Sequence, residues 1–534
     1  MQVLTLKPIL GLKTDVAQND LTLFQWVKEN EVLTHAIDLD HMDFIRNENA
    51  CSKALGKYLW SNSAIGSATG CNALFELDDG TNIDHIFLDH GKFYYYDSSK
   101  DPQNIDAATP VTFNTTAPSL YSLIQFSDYV VIADGLRTPY KWKHGDANLT
   151  KLILSGTEYV FKYLIEFQRR IIGAYSDQTN GDIEIRWTDA LPTIASLDFD
   201  SANQLYKPLE SDPITGISKM GANAAYLYGE ESICRIDYYP GSSIPFGITQ
   251  TVMGHGSINH HSIVNDGFAN YFFDKNYGFI KYQGEYEIKK ENIISRSIQP
   301  IIETISSNYQ NRIIGTVLPF SHEICWAVPA DSSVTNNKLL FYNTRTGQWR
   351  QQSFAARYID FWTPYTSYTW TNLNTAYSTW SAASSAIGSW GAVTRQLPAL
   401  VFGITDGHLY NNTGETNLGV PLQSYRMEPI LDFGYPDKQK RVLEVWFDSL
   451  ETSGSISSLI VYWRTGDTLN ELLNASWEAL TPLYLGIDLD HSDAVQYMDK
   501  TGKFHQFYWG NFFYNMSKYS INSIRIKYQI QGTY

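Results

Sequence analysis

Short apolar and aromatic runs alternate with turn signals along most of the chain, and this pattern predicts strands. In each repeat an apolar strand meets a turn built from Asp, Asn or Gly, and an aromatic strand follows. The turn centres are roughly 40 to 70 residues apart, near the period of four-stranded propeller blades. We therefore predict an all-β fold with a β-propeller of about six to seven irregular blades, while unrelated sandwiches with hairpins are the alternative. The repeats lie at 86–96, 130–142, 171–189, 225–237, 271–282, 339–349 and 400–410.

The chain after about Leu422 has a different character. Its runs read as longer strands, and 523–530 alternates cleanly between apolar and polar residues, which is typical of a half-buried strand. We expect a C-terminal β-sandwich at 422–534, a propeller at 51–421 and an N-terminal arm at 1–50 that closes or caps the propeller. The predicted strands of the C-terminal part are 427–433, 441–448, 458–464, 505–509 and 523–530.

Helical patterns are rare in this sequence. The best candidate is 20–39, with Asp20 as its cap. Its apolar face would be formed by Leu23, Trp26, Val27 and Val32.

An uncharged insert rich in Ser and Thr interrupts the repeats at 363–391. Trp370, Trp380 and Trp390 occur in it at steps of ten. A solvated linker has no use for evenly spaced Trp. We predict that each Trp is mostly buried and anchors the insert loop, either on the chain's own sheets, which is the simpler arrangement, or at an interface with another subunit.

Composition and charge narrow the function classes. The chain has 534 residues, of which 18% are charged and 43% hydrophobic, and its net charge is −16. Proteins that grip DNA by its phosphates are normally basic. An acidic protein repels DNA weakly, which suits a passage better than a clamp. Ordinary solubility charge is the alternative reading, because net charge does not show where the carboxylates lie.

The sequence lacks the patterns of a membrane-spanning helix, a signal peptide and a disulfide framework. No run of about 18 apolar residues is present, so we expect no membrane-spanning helix. The first 20 residues lack the pattern of a signal peptide, so the protein would stay where it is made or leave by lysis or in a particle. Four widely spaced cysteines argue against a disulfide framework and for a reducing site of synthesis. They are Cys51, Cys71, Cys234 and Cys325.

Five features in a fixed order carry a resemblance to a known group. They are the hairpin 123–135 followed by Pro139, 167–175 leading to 184–189, 213–218 leading to 231–237, 254–264 followed by 271–274 and 278–284, and the Trp-spaced insert before a final hairpin, with a terminal sandwich. Over about residues 40–534 this order resembles the propeller-containing adaptors and tail-tube proteins of short-tailed bacteriophages (podoviruses). These are the tail nozzle (tail tubular protein B) and packaged-DNA stabilisation (head-closure) families.

The resemblance implies a structural virion protein and not an enzyme. Its members form a ring, usually of about six copies, that conducts DNA during ejection and helps retain the packaged genome. The implied neighbours are a portal or adaptor ring above and tail fibre or tail needle proteins nearby, and DNA would pass without sequence-specific contacts. The implied location is the tail or neck of the virion, after synthesis in the host bacterial cytoplasm.

Metal sites are poorly supported by the sequence. His260 and His261 would point to opposite faces of a strand, and His255 among glycines favours a turn. Asp488, Asp490 and Asp493 resemble half of a calcium loop. The sixth position of that loop lacks the required Gly, and its twelfth position holds Asp499 instead of Glu. Asp38 and Asp40 form a still weaker pattern. We predict no metal and no cofactor.

Catalytic motifs are also missing. The sequence has no G-x-S-x-G elbow, HExxH or P-loop. The stretch 343–349 is the nearest approach to a sialidase-type turn, but it lacks the register. Arg169 and Arg170 form the most basic short element, which favours an interface or salt bridges over DNA binding.

Two rival functions stay open at this stage. One is a tail-borne receptor- or glycan-binding propeller, and the other is a virion-associated glycosidase or depolymerase, which would need two placed carboxylates. Retention on host polysaccharide would favour the first rival, and release of reducing sugar would favour the second.

Overall fold

The computed structural model describes the chain in blocks. They are 1–15, 20, 23–28, 31–43, 51–65, 70–89, 92–97, 99–106, 120–153, 158–190, 198–222, 224–363, 399–414, 416–417, 420–452, 457–485, 493–512 and 519–532.

Strands dominate these blocks. From the N-terminus they are β1 (Gln2–Leu12), β2 (Phe24–Lys28), β3 (Glu31–Ala36), β4 (Asp38–Asp40), β5 (Met42–Asp43), β6 (Cys51–Lys53), β7 (Gly56–Leu59), β8 (Ala73–Asp78), β9 (Ile83–Asp89), β10 (Lys92–Tyr96), β11 (Pro102–Asn104), β12 (Ser122–Phe126), β13 (Tyr129–Ala133), β14 (Tyr140–Trp142), β15 (Thr150–Lys151), β16 (Phe161–Phe167), β17 (Arg170–Ser176), β18 (Glu184–Trp187), β19 (Gln204–Tyr206), β20 (Gly216–Met220), β21 (Ala224–Tyr228), β22 (Ser232–Tyr238) and β23 (Phe246–Met253).

The remaining strands run to the C-terminus. They are β24 (Val264–Asn265), β25 (Asn270–Asp274), β26 (Gly278–Tyr282), β27 (Ile314–Leu318), β28 (Glu323–Val328), β29 (Lys338–Asn343), β30 (Trp349–Ser353), β31 (Tyr358–Trp362), β32 (Ala399–Gly403), β33 (Leu409–Gly414), β34 (Thr416–Asn417), β35 (Val420–Pro421), β36 (Ser424–Met427), β37 (Lys440–Thr452), β38 (Ser457–Gly466), β39 (Glu478–Ala479), β40 (Leu483–Leu485), β41 (Asp493–Gly502), β42 (Phe504–Asn511) and β43 (Tyr519–Ile530).

In the blocks given above, helical structure is confined to short pieces. The α-helices are α1 (Gln299–Ile302) and α2 (Leu469–Asn474), and short 3₁₀ turns lie at Gly181–Ile183, His260–Ser262, Lys290–Asn292, Ile294–Ile298, Ser307–Arg312 and Pro319–Ser321. The all-β prediction is therefore confirmed.

The chain divides into two compact units. Unit 1 comprises Met1–Tyr58, Ser262–Ala356 and Thr413–Tyr534, and unit 2 comprises Leu59–His261 and Arg357–Asn412.

Unit 2 is a series of small antiparallel sheets, each built from strands that follow one another in the chain. The four-stranded sheets are β8–β11, β12–β15, β16–β19 and β20–β23, and β31–β33 form a further hairpin sheet. The first strands β8, β12, β16 and β20 lie next to one another in turn, and β31 lies against β8.

The apolar core of unit 2 is divided among its sheets. One cluster contains Leu88 and Trp142 of the β8–β11 and β12–β15 sheets, and the next continues from the β12–β15 sheet to Phe161 of the β16–β19 sheet. Another joins Trp187 to the β20–β23 sheet, and Trp362 packs with the β8–β11 sheet. The β8–β11, β12–β15 and β16–β19 sheets therefore contribute to two apolar clusters each, which explains their nearly continuous apolar strands.

Unit 1 contains two larger sheets that pack on each other. The first has the order β2-β3-β1-β43-β37-β41, with β6 on β43 and β5 on β6, and the second has the order β39-β38-β42-β36-β4, with β40 on β38. Phe447 of the first sheet meets Trp509 of the second edge-on, with ring centroids 5.9 Å apart. Smaller sheets in the same unit are β24–β26 and β27–β30.

The N-terminal residues take part in the larger sheet. β1 lies between β3, which runs parallel to it, and the last strand β43, which runs antiparallel to it. The segment 1–50 was predicted to be an arm on the propeller; its described strands belong to unit 1.

Two local predictions were wrong. Residues 20–39 do not form a helix, because 24–28 and 31–36 are the strands β2 and β3, and 31–36 alternates between partly exposed and buried residues. Neighbouring strands supply the backbone partners, and this pairing outweighs the weak helical pattern. The predicted strand at 427–433 ends at Met427, since β36 covers Ser424–Met427.

The predicted turns form as the residue types indicated. Asp134 Oδ1 accepts hydrogen bonds from the backbone N–H groups of Leu136 and Arg137 at 2.9 and 2.8 Å. Asp274 does the same for the two residues that close its own turn. Because an Asp side chain satisfies backbone donors two and three residues ahead, it fixes the hairpin connection locally.

Candidate functional site

Unit 2 contains a line of titratable and aromatic side chains near its first strands. The His260 ring lies 5.0 Å from the Tyr163 ring of β16 and 5.2 Å from the His261 ring. The His261 Nδ1 atom is 3.4 Å from the Tyr358 hydroxyl of β31. The two histidines lie in a 3₁₀ turn, not in the strand that the sequence suggested, so they lie side by side.

Both imidazoles are held in the neutral form. Loss of hydration lowers the pKa of His260 to about 4. It lowers the pKa of His261 well below its usual value, helped by His260 and Lys162. The Ile217 N–H donates to His260 Nδ1 at 3.4 Å, so the proton of that ring is assigned to Nε2.

A second group of side chains lies where β31 ends. Asp360 accepts hydrogen bonds from the Phe361 N–H at 2.8 Å and from the Trp362 indole N–H at 2.9 Å. Burial raises the pKa of Asp360 to about 7, above the opposing effect of these two donors. The pKa of this carboxyl group therefore lies far above the usual range of an Asp side chain.

Glu76 and His85 both contact the backbone of Thr363, the first residue of the insert. Glu76 accepts a hydrogen bond from the Thr363 backbone N–H, and the His85 Nε2 atom is 3.1 Å from the Thr363 carbonyl oxygen. The His85 ring stacks on Trp362 with centroids 4.5 Å apart. Because Trp362 is paired with Ala399, the chain leaves and re-enters the sheet at neighbouring points.

Lys162 lies in a corner formed by two tyrosine rings. Its Nζ atom is 4.8 Å from the centroid of Tyr175 and 5.3 Å from that of Tyr163. The two rings are nearly perpendicular to each other, at 83°. Desolvation lowers the pKa of the Lys162 ammonium group. This arrangement provides a cation held by aromatic faces.

The chemistry of the line is limited by how its groups are used. The carboxylates of Asp360 and Glu76 are already bonded to neighbouring backbone and side-chain donors. The Tyr358 hydroxyl contacts His261, and burial raises the pKa of that hydroxyl well above its usual value. This arrangement suits the binding of a ligand better than nucleophilic attack on a substrate.

Other sequence candidates are engaged in ordinary contacts. Asp499 forms a bidentate pair with Arg441, with both oxygen–nitrogen distances 2.6 Å. Asp38 accepts from the Tyr425 hydroxyl at 2.9 Å, and Asp40 lies 3.0 Å from the His41 imidazole. Within the described blocks, no group of three or more His, Cys, Asp or Glu side chains could hold a metal ion.

The two adjacent arginines have separate roles. Arg169 occupies the β16–β17 turn with a positive φ of 58°. Arg170 donates to the Thr188 carbonyl oxygen at 2.8 Å and lies 3.7 Å from the Asp189 carboxylate. Both therefore belong to the hairpin.

Some candidates cannot be placed. Trp370, Trp380 and Trp390 lie outside the described residues, and so do Asp488 and Asp490. Asp493 is the first residue of β41. Asn343 closes the turn at the end of β29 by accepting from the Arg345 and Thr346 N–H groups, each at 2.9 Å.

Comparisons with known proteins give no family. No family model matches the chain, and no curated protein matches it. A computationally designed protein is similar at 11% identity and a TM-score of 0.35, over 76% of this chain and 99% of that one. Extracellular domains of a one-component and of a hybrid two-component system from B. thetaiotaomicron are similar at 10% and 9% identity, with TM-scores of 0.40 and 0.41.

The last two similarities cover 82% of this chain but only 47% of each bacterial domain. All of these TM-scores are too low to support an argument about function. A search of the described helices found none that is long and apolar enough to cross a membrane.

Proposed function

We propose that this chain is a structural subunit of a short-tailed phage virion, located in the tail nozzle or at the head-to-tail interface. In this proposal about six copies form a closed ring by repeating one heterologous contact. The ring conducts double-stranded DNA during ejection and helps to retain the packaged genome.

The observation that carries the proposal is the series of small sheets made from consecutive strands. In unit 2 the first strands lie next to one another and apolar clusters continue from sheet to sheet. Consecutive blades of a β-propeller would have this order. We propose that these sheets are blades and that the two larger sheets of unit 1 form a β-sandwich. The ordered sequence resemblance to phage ring proteins supports the same fold.

Exposed aromatic residues in unit 1 are candidates for contacts with other subunits. Phe268, Tyr286 and Phe320 are 82%, 79% and 72% exposed. Phe268 and Tyr286 lie at the same end of the β24–β26 sheet, because Asn270 pairs with both Asn265 and Tyr282. Exposed aromatic groups of this kind typically mark interaction surfaces.

The net charge supports a channel through which DNA passes, and not a surface that binds DNA tightly. With −16 on the chain, a lumen formed by several copies would be acidic or neutral at most levels. Such a wall binds phosphates weakly and would not slow ejection.

The test is to mix the purified chain with tail-less particles and to image them. We expect closed rings with an axial channel on the particles, and a monomer or small oligomer when the chain is alone, since weak lateral contacts then lack a template. The triple variant Phe268→Ser, Tyr286→Ser and Phe320→Ser should assemble poorly, while Tyr497→Ser, equally exposed on β41 at 74%, is the matched control.

Three outcomes would contradict the proposal. They are failure to bind any particle, retention on host polysaccharide without ring formation, and release of reducing sugar from that polysaccharide.

A further inference from the structure

Lys162 is the exposed residue of a strand whose other side chains are buried or partly buried. Three other lysines of unit 2 have carboxylate partners: Lys143 pairs with Asp128 at 3.3 Å, Lys151 with Glu158 at 2.6 Å and Lys219 with Glu166 at 3.0 Å. Within the described part of the chain, Lys162 has no such partner. Its positive charge is therefore uncompensated in a protein that is acidic overall.

The backbone opposite Lys162 is distorted. β16 and β17 pair at Phe161–Ser176 and again at Tyr163–Ala174, but Lys162 and Tyr175 are not paired between them. Tyr175 has a positive φ of 59°, which is unusual for an aromatic residue inside a strand. Strain of this kind persists only where the surroundings enforce it, and it is concentrated at functional sites.

The distortion places the Tyr175 ring under the ammonium group. The Tyr163 ring, whose plane is nearly perpendicular to that of Tyr175, also lies close to the ammonium group. The turn residue Gly135 also lies against the Lys162 side chain, where a Cβ atom would meet Cγ at 3.4 Å. The side chain is thus positioned before any ligand arrives, which lowers the entropy lost on binding.

We propose that Lys162, held by Tyr163 and Tyr175, binds an oxyanion: a carboxylate, phosphate or sulfate group of a small molecule or of a larger partner. A cation without a carboxylate partner attracts such a group by charge-assisted hydrogen bonding. The inference concerns unit 2 alone and holds whether or not the chain forms a ring.

The experiment is a thermal unfolding titration of the full chain with sodium phosphate and, separately, sodium acetate. Each is compared with sodium chloride at equal ionic strength. We expect a saturable rise of the unfolding midpoint that is absent with chloride. Saturation with phosphate alone would assign a phosphate-type ligand, and saturation with acetate as well would assign carboxylates.

Substitutions decide whether Lys162 is responsible. Lys162→Met should raise the half-saturating concentration of the anion about tenfold, which corresponds to the loss of roughly one charge-assisted hydrogen bond. Lys162→Arg should restore most of the affinity. Lys219→Met removes a paired lysine from the adjacent sheet and should leave the response unchanged. An identical response in Lys162→Met and Lys219→Met, or a response equal to that of chloride, would overturn the proposal.

Discussion

Arg426 and Glu428 form an ion pair in which both side chains are completely buried, with Nε and Oε1 2.7 Å apart. The other guanidinium nitrogens donate to the carbonyl oxygens of Leu10 at 2.8 Å and Thr34 at 2.6 Å. Glu428 also accepts from the Trp509 indole at 3.0 Å. A buried pair is tolerated only when its remaining donors and acceptors are satisfied, so this network fixes β36 against the N-terminal strands.

Removing one partner of this pair should be costly. We expect Arg426→Ala to lower the free energy of unfolding by about 3–5 kcal/mol, because it leaves the buried Glu428 charge uncompensated. Chemical denaturation of the full chain measures this loss. Arg441→Ala, which breaks the exposed pair with Asp499, is the control and should cost far less, because solvent screens that pair. Equal effects of the two variants would contradict the assigned role.

His505 should make unit 1 sensitive to acid. Its side chain is fully buried, and burial lowers its pKa to about 4. The Trp463 indole N–H donates to Nδ1 at 3.2 Å. Protonation of Nδ1 would therefore place its new N–H group against the indole N–H group. The unfolded chain binds this proton more readily than the folded chain. The contribution of His505 to the free energy of unfolding is therefore complete above about pH 6.5 and is lost as the pH falls towards 4. The loss is at most about 3 kcal/mol.

The measurement is the free energy of unfolding as a function of pH for the native chain and for His505→Gln. The variant should be less stable at neutral pH but should show a flatter decline below pH 6.5. Parallel curves would show that another group causes the decline.

Gly229 is needed for packing around a buried ion pair. Lys207 and Asp212 are 2.7 Å apart and almost completely buried, and a Cβ atom at position 229 would collide with the Asp212 carboxylate. We expect Gly229→Ala to destabilise the chain by about 1–3 kcal/mol. Gly532→Ala is the control, because no atom lies within 4 Å of the added methyl group. Thermal unfolding of both variants tests this difference.

The cysteines should be unreactive in the folded chain. All four are free and buried. Burial raises the pKa of Cys51 to about 12 and that of Cys234 to about 11. At pH 8 only about a thousandth of the Cys234 side chains would then be in the reactive thiolate form. We expect alkylation to require unfolding and a reducing agent to leave the unfolding midpoint unchanged. Rapid labelling of the native chain by iodoacetamide would contradict this.

The sequence by itself determined the all-β class and the positions of the small hairpins. Turns such as the one at Asp134 form from side chains that bond to backbone only two or three residues away, so a local pattern is enough. The strand predictions at 225–237 and 271–282 were correct for the same reason, because each strand pairs with the next strand in the chain.

Only the tertiary structure decided the contacts between distant parts of the chain. The segment 31–36 is a strand because β1 and β2 pair with it, and β1 in turn needs β43 from the other end of the chain. The corner around Lys162 also depends on the backbone distortion at Tyr175, which leaves no mark in apolar periodicity. Register and burial across hundreds of residues are set by packing, and a single sequence carries no local signal for them.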